Sequence, residues 1–261
     1  MNTVREQPKP APKRASVSRF DRITRLAVTG STNDDMTRIL GGERARGLTL
    51  VADYQESGSG RKGRAWIAPA GSALLCTIGL PDPVPTRELW LVPFWTALVV
   101  GAALRSHGVD PLLQWPNDVL IGGRKVAGIL CISRVTGDYA WVGCGIGINV
   151  LRPQGDETLE TITPPPAFVS DVANADREAI LQSLLHEADT QYDDLHSAQR
   201  VVRAWEEGAH VPGARYRILL DGQREPFEAI ARRLKQDGSL LVDRDGTEQT
   251  ISLADARVLR E

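Results

Sequence analysis

Histidine and cysteine are scarce in this chain, which limits the chemistry that its own side chains can perform. The 261 residues include only four histidines and three cysteines. Cys76, Cys131 and Cys144 each stand in an apolar, strand-like stretch without the spacing of a metal site, so we expect buried, reduced thiols. No serine or cysteine pairs convincingly with a histidine, so the sequence predicts no nucleophile of the protein's own.

Strong net charge and long apolar runs are also missing. The net charge is −2, so nothing in the overall balance points to nucleic acid or to an anionic membrane. A strongly apolar, uncharged run covers residues 89–104 and is interrupted by Pro93 and Gly101, which predicts a buried helix rather than a membrane span. The N-terminus lacks an apolar signal region, and we therefore expect a cytoplasmic protein without membrane association.

Composition divides the chain into three parts. Residues 1–18 are basic and rich in proline, which predicts a disordered tail. Residues 19–209 mix helical and strand-like patterns and predict one large domain. Residues 210–261 contain short alternating runs separated by Asp-Gly turns, which predict a small β-barrel.

Periodicity and turn residues outline the elements of the two domains. We predict a short helix after residues 31–33, a helix over about 87–107 and helical structure from 175 to about 207. The predicted strands of the large domain cover 48–53, 74–80, 112–115, 119–121, 125–133 and 139–150. Those of the small domain cover 216–220, 227–234, 240–242 and 250–253.

The stretch Gly58–Arg64, with Trp66 shortly after it, is the most informative in the chain. Its glycines let backbone N–H groups approach a ligand closely, and successive N–H groups can form an anion-binding nest. Arg61, Lys62 and Arg64 add positive charge for a phosphate or carboxylate, and Trp66 offers a flat face for a nucleobase. The stretch predicts a cradle for a nucleotide or an acyl phosphate.

Three other interpretations of this stretch must be weighed. An isolated run of this composition is most often a flexible, solvated loop. The run matches the dinucleotide pattern G-x-G-x-x-G, but that motif requires a helix to begin there, whereas a strand is predicted at 74–80. It also nearly matches the P-loop, but Arg64-Ala65 stands where Lys-Ser or Lys-Thr is required.

Other polar or glycine-rich segments lie at the ends of predicted elements. They are Ser31-Thr32-Asn33, Gln55, Trp115-Pro116-Asn117-Asp118, Lys125 with the Gly128-Ile129-Leu130 that follows, and Gly145-Ile146-Gly147-Ile148-Asn149. Taken singly, each has an ordinary structural explanation: a helix cap, a turn, a solvated lysine or a tight strand end.

Together and in this order, these motifs resemble those of the biotin protein ligase family. Its members carry a Ser-Thr-Asn cap, a Gln before a Gly-Arg-Gly-Arg-x-Gly-Arg-x-Trp loop, then Lys-Trp-Pro-Asn-Asp, Lys-x-x-Gly-Ile-Leu and Gly-Ile-Gly-Ile-Asn. The resemblance runs from about Phe20 to the C-terminus. It implies an α+β fold with a mixed sheet backed by helices, related to class II aminoacyl-tRNA synthetases. Residues 19–209 would then be the catalytic domain that binds biotin and ATP, and residues 210–261 an SH3-like barrel.

The resemblance implies a two-step reaction. Biotin and ATP would form biotinyl-5′-adenylate and pyrophosphate, and the adenylate would then acylate one lysine of a biotin carboxyl carrier domain. Mg²⁺ is expected with ATP, although no ligands can be assigned to it. The chemistry requires cationic donors where a carboxylate and the α-phosphate meet, and Arg61, Arg64 and Lys125 are the obvious candidates.

By the same resemblance, three overlapping groups of residues form the site. The biotin-binding residues would be Ser31, Thr32, Asn33, Gln55, Gly58, Ser59, Gly60, Lys125 and Gly128. The nucleotide-binding residues would be Arg61, Gly63, Arg64, Trp66, Asn117, Lys125, Gly147 and Asn149. The catalytic residues would be Arg61, Arg64, Lys125 and Asp118, with Asp118 near the incoming lysine.

Two alternatives stay open, the first because a superfamily shares the fold and the second because of three departures from the family pattern. Ser59 replaces an arginine, Gln114 replaces a lysine, and Ile132 stands where an acid is often found. One alternative is a lipoate or octanoate ligase or transferase of the same superfamily. The other is a non-catalytic module that binds biotin or its adenylate.

Three further expectations concern the ends, the assembly and the loop. The catalytic pattern begins by about residue 20, too early for an N-terminal winged helix, so we expect no sequence-specific DNA binding. Pairing at a sheet edge could form a homodimer, and the sequence leaves this open. We predict that the loop at 57–66 is mobile without ligands, because its glycines and charge would give it little to pack against.

Overall fold

The structure is a computed structural model that describes residues 18–155, 162–174, 176–254 and 256–259. Within these residues the chain forms two β-sheets and four α-helices. The predicted tail at 1–18 lies outside the described residues, apart from Ser18.

The first sheet contains eight strands and is mixed, as predicted. Its strands are β1 Arg22–Thr29, β2 Leu48–Gln55, β3 Ala73–Gly79, β4 Val84–Pro85, β5 Leu112–Gln114, β6 Asp118–Ile121, β7 Arg124–Thr136 and β8 Tyr139–Asn149. They lie in the order β1-β2-β3-β8-β7-β6-β5, and the short β4 pairs with the start of β8. β1 and β2 run parallel, whereas the other neighbours are antiparallel.

Strand β1 was not predicted from the sequence, for a physical reason. Its apolar residues Ile23, Leu26 and Val28 do not alternate, so the period of two that marks a half-buried strand is missing. β1 is an edge strand whose side chains are largely exposed, and one neighbour, β2, specifies its place.

Four helices accompany the sheets: α1 Thr32–Ile39, α2 Leu91–Arg105, α3 Arg177–Thr190 and α4 Ala198–Gly208. α2 is apolar all round and nearly all of it is buried, because the first sheet covers one side and α3 and α4 cover the other. Pro93 lies in its first turn, where a missing N–H leaves no helical hydrogen bond unmade. Among the described residues, no helix is both long and apolar enough to cross a bilayer.

The helical stretch predicted at 175–207 is two helices rather than one, and Ala175 lies outside the described residues. A 3₁₀ turn at Tyr192–His196 separates α3 from α4. Each helix has its own N-cap, since Asp176 accepts a hydrogen bond from the N–H of Ala179 and Ser197 accepts one from Arg200. The apolar residues continue at helical spacing through the turn, so the sequence pattern did not show where α3 ends and α4 begins.

The second sheet confirms the predicted C-terminal β-structure, which fits a small SH3-like domain. Its antiparallel strands are β9 Arg215–Leu220, β10 Phe227–Leu234, β11 Leu240–Arg244, β12 Thr247–Ile251 and β13 Ala256–Leu259, in the order β12-β11-β10-β9-β13. The predicted strand at 250–253 begins and ends earlier, and β13 was not predicted. The boundary proposed at residue 210 between two domains stays a prediction.

The two sheets share one hydrophobic core. Phe94 of α2 packs edge-on against Trp205 of α4, and both belong to the same buried cluster as Ile218 and Leu240 of the second sheet. Trp115 follows β5, and its indole Nε1–H donates to the carbonyl of Gly238 at 3.0 Å. The second sheet is therefore fixed beside the end of β5.

The three cysteines are free thiols, as predicted, and two of them are buried. Burial raises the pKa of Cys76 to about 12. Cys131 faces Cys144 directly across β7 and β8, and it is only half-buried, which corrects the expectation for that residue.

Candidate active site

A cavity of about 460 Å³ lies on the face of the first sheet opposite α2. The predicted site residues that line it are Ser31, Thr32, Asn33, Gln55, Ser59, Gly60, Arg61, Arg64, Trp66, Asn117, Lys125, Gly128, Gly147 and Asn149. The structure therefore brings together, around one cavity, segments that lie far apart in the sequence. Gly58, Gly63 and Asp118 do not line it but lie directly beside residues that do.

The floor of the cavity exists because alternate residues of β8 have no side chain. A Cβ atom on Gly145 would lie 2.3 Å from Asn33 Oδ1, and one on Gly147 would lie 2.6 Å from Trp66 Cε2. On the opposite face of β8, Cys144, Ile146 and Ile148 are buried in the main core. The Gly-Ile-Gly-Ile pattern is thus a strand with one face in the core and one open to the cavity.

One end of the cavity is a network of uncharged hydrogen bonds at the start of α1. Gln55 Oε1 accepts from the backbone N–H of Thr32 at 2.7 Å and from its hydroxyl at 3.0 Å. Asn33 Nδ2 donates to the carbonyl of Leu130 at 3.0 Å, which ties α1 to β7. Ser31 is the N-cap residue of α1 and is buried, but its side chain makes no capping hydrogen bond. We call this the polar end.

Thr77 completes the polar end and was missed by the sequence analysis. Its Oγ1 lies 2.9 Å from Thr32 Oγ1 and 2.8 Å from Asn33 Oδ1, and the hydroxyl can donate to one of them at a time. The residue stands inside an otherwise apolar strand, Leu-Leu-Cys-Thr-Ile, where a threonine is an ordinary β-former. No local signal distinguished it.

The loop at 58–66 is a small, hydrogen-bonded hairpin. The N–H of Trp66 donates to the carbonyl of Gly58 at 2.8 Å, and that of Gly60 donates to Arg64 at 2.6 Å. A 3₁₀ turn, Arg61–Gly63, forms its tip, so no α-helix begins here and the dinucleotide motif is excluded.

The reason given for the predicted mobility of this loop is wrong. Arg61 Nη2 donates to the backbone carbonyl of Leu253, and Lys62 Nζ lies 2.6 Å from Asp221 Oδ2. Both partners belong to the C-terminal part of the chain, so the loop does pack against other structure. Its mobility without ligands stays a prediction.

The other end of the cavity gathers three cations, and we call it the cationic end. Burial and the charge of Arg64 lower the pKa of Arg61. Burial, together with Arg64 and Arg61, lowers the pKa of Lys125 to about 8, although the carboxylate of Asp118 lies 2.7 Å from its Nζ. Lys125 Nζ also lies 5.2 Å from the ring centroid of Trp66. Such a cluster attracts an anion that would relieve its own repulsion.

Two asparagines tie this end to the sheet. Asn117 Oδ1 accepts from Arg61 Nη1 at 3.4 Å, and its Nδ2 donates to the carbonyl of Ile129 at 2.8 Å. Asn149 Nδ2 donates to the carbonyls of Lys125 and Ala167 at 3.4 and 3.2 Å. In the described part of the chain, the buried Nε1–H of Trp66 has no hydrogen-bond partner.

Two further parts of the cavity wall come from segments without a predicted role. One is the segment after β8, through Ile162, Thr163, Pro164 and Pro166; the other is the second sheet, through Arg217, Val258 and Leu259. Arg217 alternates with the buried Tyr216 and Ile218, which marked it only as an outward-facing strand residue. Its distance in sequence from the other site residues hid its place.

The departures from the family motifs fall in different places. Ser59 lines the cavity through the loop. Ile132 does not line it but packs with Met36 of α1 and Leu40 in a small separate core. Gln114 ends β5, paired with Asp118 in the strand register. Among the described residues, no three His, Cys, Asp or Glu side chains cluster as metal ligands would.

Comparisons with known proteins show the family of this chain. Residues 26–149 match the model of the biotin/lipoate A/B protein ligase family. The chain is 32% identical over 248 residues to the biotin–acetyl-CoA-carboxylase ligase of Mycobacterium tuberculosis, covering 90% of this chain and 88% of that protein. It is 30% identical over 231 residues to the bifunctional ligase/repressor BirA of Escherichia coli, covering 85% of this chain and 69% of that one.

Solved structures share the fold. The biotin protein ligase from Aquifex aeolicus in complex with biotin and ATP superposes with a TM-score of 0.72 at 23% identity, covering 93% of this chain and all of that one (100%). The ligase from Leishmania major in complex with biotin gives a TM-score of 0.59 at 22% identity, with 89% and 98% of the two chains covered. On the motifs, the cavity and the identity to its curated relatives, the chain belongs to the biotin protein ligase family.

Proposed function

We propose that this protein is an ATP-dependent biotin protein ligase, which forms biotinyl-5′-adenylate and transfers biotin to a lysine of a carboxylase carrier domain. The observation that carries the proposal is the single cavity with an uncharged polar end and a cationic end. Biotin has matching chemistry, because its ureido ring is neutral and polar whereas its carboxylate is an anion. A cavity of this form can hold the ring at one end and present the carboxylate at the other.

The polar end is proposed to bind the ureido ring. Ser31, Thr32, Asn33 and Gln55 supply hydroxyl and amide groups there, and Ser59 and Gly60 line the same cavity, with Gly58 directly before them in the loop. A site of this kind rejects analogues that lack the partner groups, because its own buried polar groups would be left unpaired. Lipoate has a dithiolane ring without N–H donors, so this end favours biotin over the lipoate alternative.

The cationic end is proposed to bind the nucleotide. Trp66 would stack on adenine, above the floor formed by Gly128 and Gly147. The side-chain N–H groups of Asn149 already bond two backbone carbonyls, which leaves its Oδ1 to accept from the exocyclic amine of adenine. Arg61, Arg64 and Lys125 would hold the α-phosphate and the carboxylate together.

In the first step, a carboxylate oxygen of biotin attacks the α-phosphorus and pyrophosphate leaves. The three cations stabilise the negative charge that accumulates between the two groups, and Asn117 and Asp118 already contact Arg61 and Lys125 before the reaction. In the second step, the ammonium of the carrier lysine loses a proton to solvent and its amine attacks the carbonyl carbon of the adenylate. AMP leaves with the oxygen that joined the carbonyl carbon to the phosphate, and a second proton passes from the nitrogen to solvent. Asp118 is proposed to hold Lys125 in the first step and to orient the incoming ammonium in the second.

Mg²⁺ is proposed to enter with ATP rather than through a protein site. The described residues offer no cluster of carboxylates for it, and Asp118, the carboxylate beside the cations, pairs with Lys125. Phosphate oxygens and water would supply the ligands, as Mg²⁺ prefers.

The test uses the full chain with biotin, Mg-ATP and a biotin carboxyl carrier domain, and it follows carrier mass and pyrophosphate release. A biotin-sized mass gain that requires ATP is the expected result. Parallel reactions with lipoate and octanoate address the sister activities, and a mass gain with those acids alone would overturn the proposal. Tight biotin binding without any transfer would favour the non-catalytic module.

A further inference from the structure

The loop at 58–66 touches the second sheet at two points, and both contacts involve its basic residues. Arg61 Nη2 donates to the backbone carbonyl of Leu253, just after β12. Lys62 Nζ lies 2.6 Å from Asp221 Oδ2, in the turn that follows β9. These contacts join residues 192 and 159 positions apart in the sequence. The loop that carries two of the cavity's cations is therefore held by a separate sheet.

Lys62 differs from the two arginines that flank it. Arg61 and Arg64 line the cavity, whereas Lys62 does not. Its backbone has a φ of 56°, in the left-handed region that a lysine seldom adopts. This conformation directs the side chain toward Asp221 and costs energy, which other contacts must offset.

The ion pair between Lys62 and Asp221 has an electrostatic role at this place. Burial is the largest cause of the lowered pKa of Lys125, and the charges of Arg64 and Arg61 add to it, so the three cations oppose one another. Without a contact on the outer side, this repulsion would push the loop away from the sheet. Asp221 supplies the opposite charge on that outer side. Its second carboxylate oxygen, Oδ1, lies 3.9 Å from Nε of Arg257 in β13.

We propose that Asp221 is a positioning residue, which through Lys62 favours the loop conformation in which Arg61 faces the cationic end before ATP binds. Asp221 does not line the cavity and touches no group that would react. The kinetic consequence rests on the proposed function, whereas the structural consequence does not.

The kinetic test replaces Asp221 by asparagine, which keeps the shape and removes the charge. ATP must then order the loop as it binds, so its KM in adenylate formation rises about three- to fivefold, the range that an exposed ion pair supports. The kcat changes little, because Arg61 still reaches the same place in the complex. Asp245→Asn, in the β11–β12 turn, is the matched control, since asparagine tolerates its φ of 53°.

A double-mutant cycle separates the ion pair from a general loss of structure. Lys62→Met should reproduce the effect of Asp221→Asn, and the double variant should be no worse than either single one. Salt should shrink the difference between the wild type and Asp221→Asn. Additive effects of the two substitutions, or an equal change in Asp245→Asn, would show that the pair has no positioning role.

Amide hydrogen exchange without ligands tests the structural consequence independently of activity. The N–H groups of Gly60, Arg64 and Trp66 are hydrogen-bonded within the hairpin and report its opening. They should exchange faster in Asp221→Asn than in the wild type and in Asp245→Asn. Equal exchange in all three proteins would overturn the proposal. If the wild type forms no adenylate, the ligase proposal fails, while this exchange comparison still decides the role of Asp221.

Discussion

The two ends of the cavity differ in how their functional groups are satisfied. At the polar end, Thr32, Gln55, Asn33 and Thr77 hydrogen-bond to one another and to the backbone. At the cationic end, Arg61, Arg64 and Lys125 repel one another, and burial works against their charge. The hydrogen bonds of the polar end hold its side chains in one geometry, which suits a neutral ring, whereas the positive charge of the cationic end attracts an anion. The comparison suggests that biotin recognition depends on hydrogen-bond geometry and adenylate formation on charge.

Removal of the central cation should have the largest effect. Lys125→Met takes one of three charges from the place where the carboxylate meets the phosphate, so adenylate formation should fall by about 10²- to 10³-fold. Biotin binding should fall far less, because the polar end is unchanged. Pyrophosphate release and calorimetric titration measure the two quantities.

A matched variant tests whether the loss of activity comes only from reduced stability of the folded protein. Asp118 is buried and loses its ion-pair partner in Lys125→Met, so the double variant with Asp118→Asn removes both charges together. The double variant should remain as inactive in adenylate formation as the single one. Wild-type rates in a folded Lys125→Met protein would remove Lys125 from the proposed chemistry.

Substitution of two glycines of β8, Gly145 and Gly147, should affect the two ends of the cavity separately. Alanine at position 145 would collide with Asn33, and alanine at position 147 would collide with Trp66. Overpacking of this degree is expected to change a KM by about tenfold. Gly145→Ala should therefore raise the KM for biotin, and Gly147→Ala should raise the KM for ATP.

Gly143→Ala is the control on the same face of β8. Its added Cβ would meet Met36 at 3.0 Å and Ile132 at 3.1 Å, and a flexible methionine can move aside. Both KM values should stay near those of the wild type. If Gly145→Ala and Gly147→Ala changed the same KM, the division of the cavity into two ends would be wrong.

The pH dependence should come from the cationic end. Lys125 has a pKa of about 8 and must be protonated to attract phosphate. Its charge is present below that pH and is lost above it, so kcat/KM for ATP should decline above about pH 8. Lys125→Arg keeps the charge to higher pH and should abolish the decline, even if its absolute rate is lower. An unchanged alkaline limb in Lys125→Arg would assign the decline to another group.

A smaller effect is expected from a single hydroxyl group at the polar end. Thr77→Val keeps the shape of the side chain but removes the hydroxyl that lies between Thr32 and Asn33. Loss of one buried hydrogen bond should weaken biotin binding by about five- to tenfold. The KM for ATP should not change, and a larger effect on ATP than on biotin would argue against the division.

Local patterns predicted those parts of the site whose chemistry lies within a few residues. The loop at 58–66 is the example, because its glycines, its cations and Trp66 stand at neighbouring positions. The Gly-Ile-Gly-Ile floor and the Ser-Thr-Asn segment were assigned through the family resemblance, because each of them taken singly has an ordinary structural explanation. Thr77 and Arg217 carry none, because each is an ordinary strand residue whose role depends on what the fold places opposite it. The contact of Lys62 with Asp221 was missed for the same reason.

The elements of the fold were likewise predicted where a local sequence signal exists and missed where it does not. Strands marked by apolar runs, alternation or Asp-Gly turns were predicted, whereas the irregular β1, the two-residue β4 and the final β13 were not. The break between α3 and α4 was lost inside continuous apolar spacing, although Asp176 and Ser197 are cap residues that could have indicated it.

The most direct test of the two-ended cavity is exchange of labelled pyrophosphate into ATP by the full chain without a carrier domain. If the cavity joins biotin to the α-phosphate, exchange should require biotin and Mg-ATP together and should proceed without an acceptor lysine. Exchange that is independent of biotin, or that is absent although biotin and ATP both bind, would contradict the account.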